Sequence, residues 1–272
     1  MKILLIIGAS GLIGKAIIDE CKSDFDVYGT FHSNTTSLSS KRQFQLGPQQ
    51  HDKLKEIIKS VQPDIVVSCL RGEFDQQLEF HNQLALELQN ISSRLYYFST
   101  ANVFDGDFSR HHVETDIPVA ESDYGNFKIE CENTLKQILG DGAIVIRIPA
   151  IWGKESPRMN LIREGIQGKE TIDAYSNLEC NNLLDTQLAK QLRFIIEKDL
   201  KGIFHLGSVD MMTQEAFFEV LIDALSGESE VLKSKLFNER KGKFYFGLRS
   251  NRNEIPDLSK NTNQSIISEL VS

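Results

Sequence analysis

Tyr124 and Lys128 stand four residues apart in Tyr124-Gly125-Asn126-Phe127-Lys128. On a helix, positions i and i+4 share a face, so a phenol and an ammonium would meet there. A free phenol has a pKa of about 10 and is nearly inert as an acid or base at neutral pH. A cation about 4 Å away, at an effective dielectric of about 20, contributes about 4 kcal/mol, or roughly three pKa units. Lys128 is therefore expected to draw Tyr124 toward neutrality, where it can give a proton to a carbonyl oxygen. Spacing alone reads equally well as an exposed helix pair worth about 0.2–0.5 kcal/mol.

Ser99 and Thr100 close a short apolar run, Leu95-Tyr96-Tyr97-Phe98. If that run is a parallel strand, the two hydroxyls lie at its carboxyl end, where ligands bind in open α/β sheets. A hydroxyl there can hold a carbonyl oxygen and orient a phenol. A strand-end residue that caps a turn is the commoner case.

Gly8-Ala9-Ser10-Gly11-Leu12-Ile13-Gly14 carries glycines spaced three and three, straight after the apolar run Ile3–Ile7 and at the start of a helical pattern. The spacing permits a tight turn at Gly8, close approach of a phosphate at Gly11 and close helix packing at Gly14. The N–H groups and positive end of the following helix would then face a pyrophosphate. Many dehydrogenases use a different glycine spacing, and a ligand-free strand–helix turn is the plainer alternative. After the second strand the chain reads Gly29-Thr30-Phe31-His32-Ser33-Asn34, with no carboxylate to hold a ribose 2′-OH. That favours NADP(H) over NAD(H), with His32 and Ser33 at the 2′ position and Lys41 and Arg42 close enough in sequence to swing in. Ser33 or Asn34 holding a 2′-OH would instead admit both cofactors.

The elements that must place these groups alternate along the chain. Strands are expected at Ile3–Ile7, Asp26–Phe31, Ile65–Cys69, Leu95–Ser99, Ala143–Ile148 and Ile203–Leu206. Helices are expected at Leu12–Cys21, His51–Val61, Gln76–Ile91, Tyr124–Leu139, Leu183–Glu197 and Gln214–Ser226. Ser33 to Ser40 reads as a loop, and the charged tail from Gly227 as irregular. Uninterrupted apolar strands between amphipathic helices imply βαβ units with right-handed crossovers around a parallel sheet. The fold class is α/β, a doubly wound Rossmann-type sheet with a small C-terminal lobe. Residues 1–152, with returns at about 183–207, are expected to bind the dinucleotide. Residues 153–182 and 208–272 would form the substrate lobe.

Composition narrows the function classes. The 272 residues carry 30 Lys and Arg against 38 Asp and Glu, a net charge of −8, which gives no general attraction for nucleic acid. Cys21, Cys69, Cys131 and Cys180 form no Cys-x-x-Cys pair, so neither a zinc nor a redox motif is expected, and a reducing compartment fits. The opening apolar run is short for a signal peptide, and no apolar stretch nears the ~20 residues of a membrane span. The expectation is a cytoplasmic protein with a small-molecule substrate, bound to neither nucleic acid nor membrane.

Other candidates carry less. His111-His112 with Glu114 and Asp116 could suggest a metal, but adjacent side chains in extended chain point apart, and no metal is expected. His205 reads as an interior residue, Trp152 as a packing residue beneath the nicotinamide loop, and Arg240, Lys241 and Lys243 as a solvated turn before a strand.

Four motifs in this order resemble the extended short-chain dehydrogenase/reductases, and among them the dTDP-4-dehydrorhamnose reductase family. They are Gly8-x-x-Gly11-x-x-Gly14, Phe98 to Gly106, Tyr124-x-x-x-Lys128, and Arg147-Ile148-Pro149-Ala150-Ile151-Trp152-Gly153. The similarity extends over roughly residues 1 to 225. It implies a reductase of a ketone on a nucleotide-linked or related sugar. Thr100 would be the catalytic hydroxyl, Tyr124 the acid/base, and Lys128 the residue that binds nicotinamide ribose and acidifies the tyrosine. Pro149 and Ile151 would line the nicotinamide, and Cys69, Leu70 and Arg71 would pass over the adenosine side. It also implies a homodimer built on helices Gln76–Ile91 and Tyr124–Leu139. The chain departs from the family at Ser68-Cys69-Leu70-Arg71-Gly72, where a small Asn/Ala-rich turn is usual. Phe127 replaces a serine, and the aromatic before the Glu114-x-Asp116 segment is replaced near His111-His112-Val113. Two other readings stay open: a non-catalytic NADP-binding regulatory subunit, and an NAD-dependent epimerase or dehydratase.

Overall fold

The computed structural model describes residues 1–226, 231–256 and 260–272. Seven strands form one parallel sheet: β1 (Ile3–Ile7), β2 (Asp26–Phe31), β3 (Gln43–Gln45), β4 (Ile65–Ser68), β5 (Arg94–Thr100), β6 (Ala143–Ile148) and, later in the chain, β11 (Ile203–His205). Their order is β11-β6-β5-β4-β1-β2-β3, and every pairing is parallel. The chain runs one way from β1 to β3 and the other way from β4 outward, so β1 and β4 flank the switch point where such sheets bind ligands. All of Leu4 to Ile7, Ile65 to Ser68 and Ala143 to Ile148 are buried, because helices cover both faces.

One face is covered by α1 (Leu12–Cys21) and α6 (Asp185–Glu197), the other by α2 (His51–Val61), α3 (Phe74–Gln89) and α4 (Asp123–Leu139). Each helix lays an apolar stripe on the sheet, such as Leu54, Ile57, Ile58 and Val61 of α2. A fully buried side chain of this kind contributes about 1.5–3 kcal/mol before entropy is counted.

A separate core gathers the remaining elements. These are β7 (Ala150–Trp152), α5 (Pro157–Gly168), β8 (Ile172–Tyr175), β9 (Leu178–Cys180), β10 (Asn182–Leu184), β12 (Met212–Thr213), α7 (Gln214–Ser226), β13 (Leu232–Lys235), β14 (Phe244–Tyr245) and α8 (Asn263–Val271). Trp152, Met159, Ile162, Phe217, Ile266 and Leu270 are buried together there. Trp152 stacks near Phe217 at 5.1 Å and donates to Asn182 Oδ1 at 2.8 Å, so its place is this core.

Two expectations need correction. The helix expected from Leu183 starts at Asp185, because Asn182–Leu184 pairs with Ala150–Trp152 as a parallel strand. The tail is not irregular: α8 is closed by a capping box of Thr262 and Ser265 and buries Ile266, Ile267 and Leu270. The parts of that tail at 227–230 and 257–259 lie outside the described residues.

Candidate active site

Because the sheet is parallel, the carboxyl ends of β1, β2, β4, β5 and β6 share one edge. Gly8–Gly14 follows β1, His32 and Ser33 follow β2, Cys69 to Arg71 follow β4, Thr100 ends β5, and Pro149 to Ile151 follow β6. The topology thus gathers these segments at one edge.

The glycine turn has the form a diphosphate requires. Gly8 adopts φ +75°, and a Cβ on it would lie 2.9 Å from Cys69 O, so the turns after β1 and β4 touch. A Cβ on Gly14 would meet Ala9 Cα at 2.6 Å, which presses α1 against the turn. Gly11 is exposed, and a Cβ there would meet only Gly8 O at 3.5 Å. No side chain caps the first turn of α1, so its N–H groups face the cleft free of any capping side chain. The Thr30 hydroxyl accepts from Gly8 N at 3.0 Å, and the Thr30 carbonyl from Ala9 N at 2.7 Å, fixing the turn to β2. This cradle fits a dinucleotide.

His32 and Ser33 are exposed beside the end of β2, with the Ser33 hydroxyl 3.1 Å from His32 Nδ1. Arg42 does not swing toward them. It pairs with Asp26 at 2.6 Å, at the opposite end of β2, and lies over the Tyr28 ring.

Thr100 and Tyr124 come together on the other side of the cleft. The Thr100 hydroxyl lies near enough to the Tyr124 phenol to pull its pKa downward. The same hydroxyl donates to Asn102 Oδ1 at 3.0 Å. The first turn of α4 can reach the turn after β5 only because residue 125 is glycine: a Cβ there would lie 2.3 Å from Asn102 O. Ser99 points away from this pair. It is 2% exposed, and its hydroxyl has no hydrogen-bond partner among the described residues.

Lys128 is 7% exposed. Its ammonium donates to Phe98 O at 2.9 Å and lies 4.6 Å from the Tyr97 ring centroid, against 6.0 Å from that of Tyr124. Burial lowers its pKa from the ordinary 10.5 to about 8. The expected acidification of Tyr124 by Lys128 is not found. Burial raises the phenol above its usual value, and the opposing influences are the Thr100 hydroxyl and the charges of Arg71 and Arg158. The phenol is therefore protonated at neutral pH, the state of a proton donor.

Arg71, on the loop after β4, and Arg158, in the first turn of α5, both act on Tyr124 and repel one another. Among the described residues neither has a carboxylate partner. Arg158, which nothing in the sequence singled out, brings a lobe residue to the catalytic face. Pro149 and Ile151 are half-buried on the loop that leads into the lobe.

The histidines are structural. His111 faces Glu179 at 3.5 Å, while His112 stacks on Phe104 at 4.3 Å and donates to Asp107 O at 2.8 Å, so the two rings do point apart. His205 is buried in β11, donating to Arg249 O at 3.0 Å and accepting from Arg147 at 3.3 Å. Among the described residues no cluster of His, Cys, Asp and Glu could hold a metal. Lys243 pairs with Glu179 at 3.3 Å beside β14. No helix of the described chain is long and apolar enough to cross a membrane.

A parallel switch-point sheet with an open glycine cradle at its carboxyl edge defines a Rossmann-type α/β protein, and Thr100, Tyr124 and Lys128 stand at that edge. Residues 1–240 match the family model of the RmlD substrate binding domain, and the chain belongs to that family. Among solved structures it is similar to a dTDP-4-dehydrorhamnose reductase of Clostridium acetobutylicum, with a TM-score of 0.83 and 19% identity over 99% of this chain and 98% of that one. The same enzyme of Bacillus anthracis, in complex with NADP, gives a TM-score of 0.82 and 18% identity over 99% of both chains. Among curated relatives, methionine adenosyltransferase 2 subunit beta of Danio rerio is 28% identical over 252 residues, 82% of this chain and 74% of that one. In fold the chain is dTDP-4-dehydrorhamnose reductase-like.

Proposed function

We propose that the chain is an NADP(H)-dependent reductase of a ketone on a nucleotide-linked or related sugar. The single observation that carries the reading is the meeting of the Thr100 hydroxyl and the protonated Tyr124 phenol beside an open glycine cradle. Gly8, Ser10, Gly11, Leu12, Ile13 and Gly14 would hold the diphosphate, and His32 and Ser33 the adenosine ribose. Cys69, Leu70, Pro149 and Ile151 would wall the cleft. NADPH, when bound, supplies a hydride to the carbonyl carbon. Tyr124 Oη holds the proton that the carbonyl oxygen takes up, and Thr100 Oγ1 holds that oxygen in line. Lys128 would supply a positive charge to the nicotinamide ribose. Arg71 and Arg158 receive the anionic part of the substrate, and residues 153–182 and 208–272 form the lobe that carries it.

NADP(H) is preferred over NAD(H) because the end of β2 offers no carboxylate to a ribose 2′-OH and would not repel a 2′-phosphate. The Bacillus anthracis neighbour holds NADP, whereas a similar Bordetella bronchiseptica enzyme holds NAD+. A cytoplasmic location belongs to the same proposal, as does a homodimer through α3 and α4, which pack side by side and leave Phe74 and Leu86 exposed.

The test is NADPH oxidation with a dTDP-linked 4-keto sugar by wild type and Tyr124→Phe. Wild-type turnover that falls at least ~10³-fold in the variant, with NADPH binding kept, is the expected result. Retained turnover rejects the assigned acid. Tighter binding of NADH than of NADPH overturns the cofactor choice, and a monomeric mass by light scattering removes the dimer.

A second reading is favoured by one observation. Six curated relatives carry the name methionine adenosyltransferase 2 subunit beta. On that reading the chain binds NADP(H) as a regulatory subunit without turnover. Tight NADPH binding, no oxidation across a broad ketone panel and stable capture of a partner protein would select it. The complete Thr100, Tyr124 and Lys128 set favours the enzyme.

A further inference from the structure

Between Thr100 and Tyr124 lies a buried carboxylate that neither touches. Asp105 is 8% exposed, in the turn after β5. Its Oδ1 accepts from Glu121 N at 2.7 Å and Ser122 N at 3.1 Å. Its Oδ2 accepts from the Ser122 hydroxyl and from Asn102 Nδ2, the latter at 3.3 Å. We infer that Asp105 is the positioning residue of the site, its one carboxylate setting both the direction of the Thr100 hydroxyl and the seat of the helix turn that presents Tyr124.

Donors and acceptors fix the arrangement. An ionised carboxylate only accepts. Asn102 must therefore turn its NH2 toward Asp105, which leaves Oδ1 toward Thr100. The reverse orientation would set a carbonyl oxygen against the carboxylate. Asn102 Oδ1 in turn accepts the Thr100 proton at 3.0 Å, and the Asn102 N–H donates to Thr100 Oγ1 at 3.3 Å. With its proton held there, the Thr100 hydroxyl is fixed in direction at the carboxyl end of β5, beside the Tyr124 phenol. The direction of the Thr100 hydroxyl is thus tied to a carboxylate two hydrogen bonds away.

The second arm works the same way. The Ser122 hydroxyl proton is taken by Asp105, so the oxygen is free to accept from Gly125 N at 3.0 Å and cap α4. Tyr124 sits inside that capped turn. Asp105 therefore joins the two halves of the site, which lie 24 residues apart in sequence, Thr100 to Tyr124.

This inference rests on the reductase reading, and the test separates the two. Wild type, Asp105→Asn, Asn102→Ala, Thr100→Ala and the two double variants with Thr100→Ala are assayed with NADPH and a dTDP-linked 4-keto sugar. Asp105→Asn keeps the shape but replaces one acceptor oxygen with a donor. It should lower kcat about 10- to 100-fold, the scale of a misplaced catalytic group, with the dissociation constant of NADPH unchanged within about twofold. Asn102→Ala, which cuts only the Thr100 arm, should lower kcat about tenfold. In the Thr100→Ala background the Asn102→Ala loss should shrink to less than about threefold, and the Asp105→Asn loss should shrink to the part that runs through Ser122, since groups acting through one another are not additive.

Full additivity in both cycles, or unchanged kcat in both single variants, overturns the inference while leaving the reductase reading intact. If Asp105→Asn loses NADPH binding and its melting transition, the Asn102→Ala cycle decides alone. Wild type that oxidises NADPH with no nucleotide-linked 4-keto sugar removes the reductase reading and the inference with it.

Discussion

Lys128 and Tyr124 share a face of α4, yet the ammonium is bonded to Phe98 O at 2.9 Å and stands 6.0 Å from the Tyr124 ring centroid. The lysine is held by the end of β5 and by the Tyr97 ring, and the phenol lies beside Thr100. The two groups are therefore tuned separately. Burial lowers Lys128 to about 8 and raises Tyr124 above its ordinary value.

The alkaline limb of turnover should then belong to Lys128. Tyr124 keeps its proton well past the point at which Lys128 loses its own. We expect kcat/KM to fall as pH rises through about 8, and the limb to disappear in Lys128→Met at a rate lower by at least ~10²-fold. The stability effect has the opposite sign. Lys128 is lowered from 10.5 to about 8 on folding, so between those values the unfolded chain binds more protons and stability rises with pH. A kcat/KM profile flat from about pH 7 to about pH 10 would show that Lys128 does not control the site.

The three glycines of the turn make separable demands. A Cβ at Gly14 would meet Ala9 Cα at 2.6 Å, so Gly14→Ala should lower the melting temperature whether or not cofactor is present. A Cβ at Gly11 meets only Gly8 O at 3.5 Å, ordinary contact, so Gly11→Ala should keep the fold. Its methyl instead fills the space a diphosphate would enter, and NADPH affinity should drop at least about tenfold, near 1.4 kcal/mol. Calorimetric melting and NADPH titration of both variants check the split. A Gly11→Ala chain that binds NADPH as wild type does would move the phosphate site elsewhere.

Much of this was legible in the sequence because parallel strands buried on both faces must be apolar throughout. Ile3–Ile7 and Ala143–Ile148 announce themselves in that way. The lobe did not. Asn263–Val271 is nine residues long and mixes Ile266, Ile267 and Leu270 with polar neighbours, and packing on α7 and β10 adds to its capping box to make it a helix. The strands Ala150–Trp152 and Asn182–Leu184 are three residues each and recognise one another across a gap no local pattern spans. In the site, Tyr124, Lys128 and Thr100 were visible through type and spacing. Asp105, Asn102 and Ser122 were not, because their meaning is a hydrogen-bond chain closed across 17 residues, Asp105 to Ser122. The signals that existed were a Ser-x-x-Gly start to α4 and an acid in the turn after a strand.

Acid should unfold this chain through two histidines. His81 is buried with Nδ1 donating to Gln77 O at 2.6 Å, which leaves Nε2 to accept from the Ser68 hydroxyl at 2.8 Å. Burial, then the Lys128 charge, lowers it to about 3, and burial lowers His205 to about 4. Both folded values lie below the ordinary 6.5, so the unfolded chain binds more protons in between. Their stabilising contribution is present above about 6.5 and is lost as pH falls. By pH 5 the loss is about 2 kcal/mol for each, at 1.36 kcal/mol per pH unit. Urea unfolding at about pH 7 and about pH 5 measures it, and His81→Asn should roughly halve the difference. Equal stability at the two values would show that neither histidine titrates with folding.

Arg71 and Arg158 carry the last prediction. They repel one another at Tyr124 with no carboxylate between them among the described residues, an arrangement that an arriving anion relieves. If that anion is the diphosphate of a nucleotide-linked sugar, Arg71→Gln and Arg158→Gln should each raise the KM for that substrate about tenfold and leave kcat within about threefold, because the contact is made equally in the ground and transition states. Neither change should destabilise the fold, since each removes a like-charge contact. Wild-type KM should rise with salt, and the double variant should lose most of that dependence, because screening acts only on charges that are present. The measurement is KM and kcat for a dTDP-linked 4-keto sugar at low and high ionic strength, beside an uncharged ketone of similar size. Equal losses on the charged and the uncharged substrate would mean that the two arginines shape the cleft without reading the charge of what enters it.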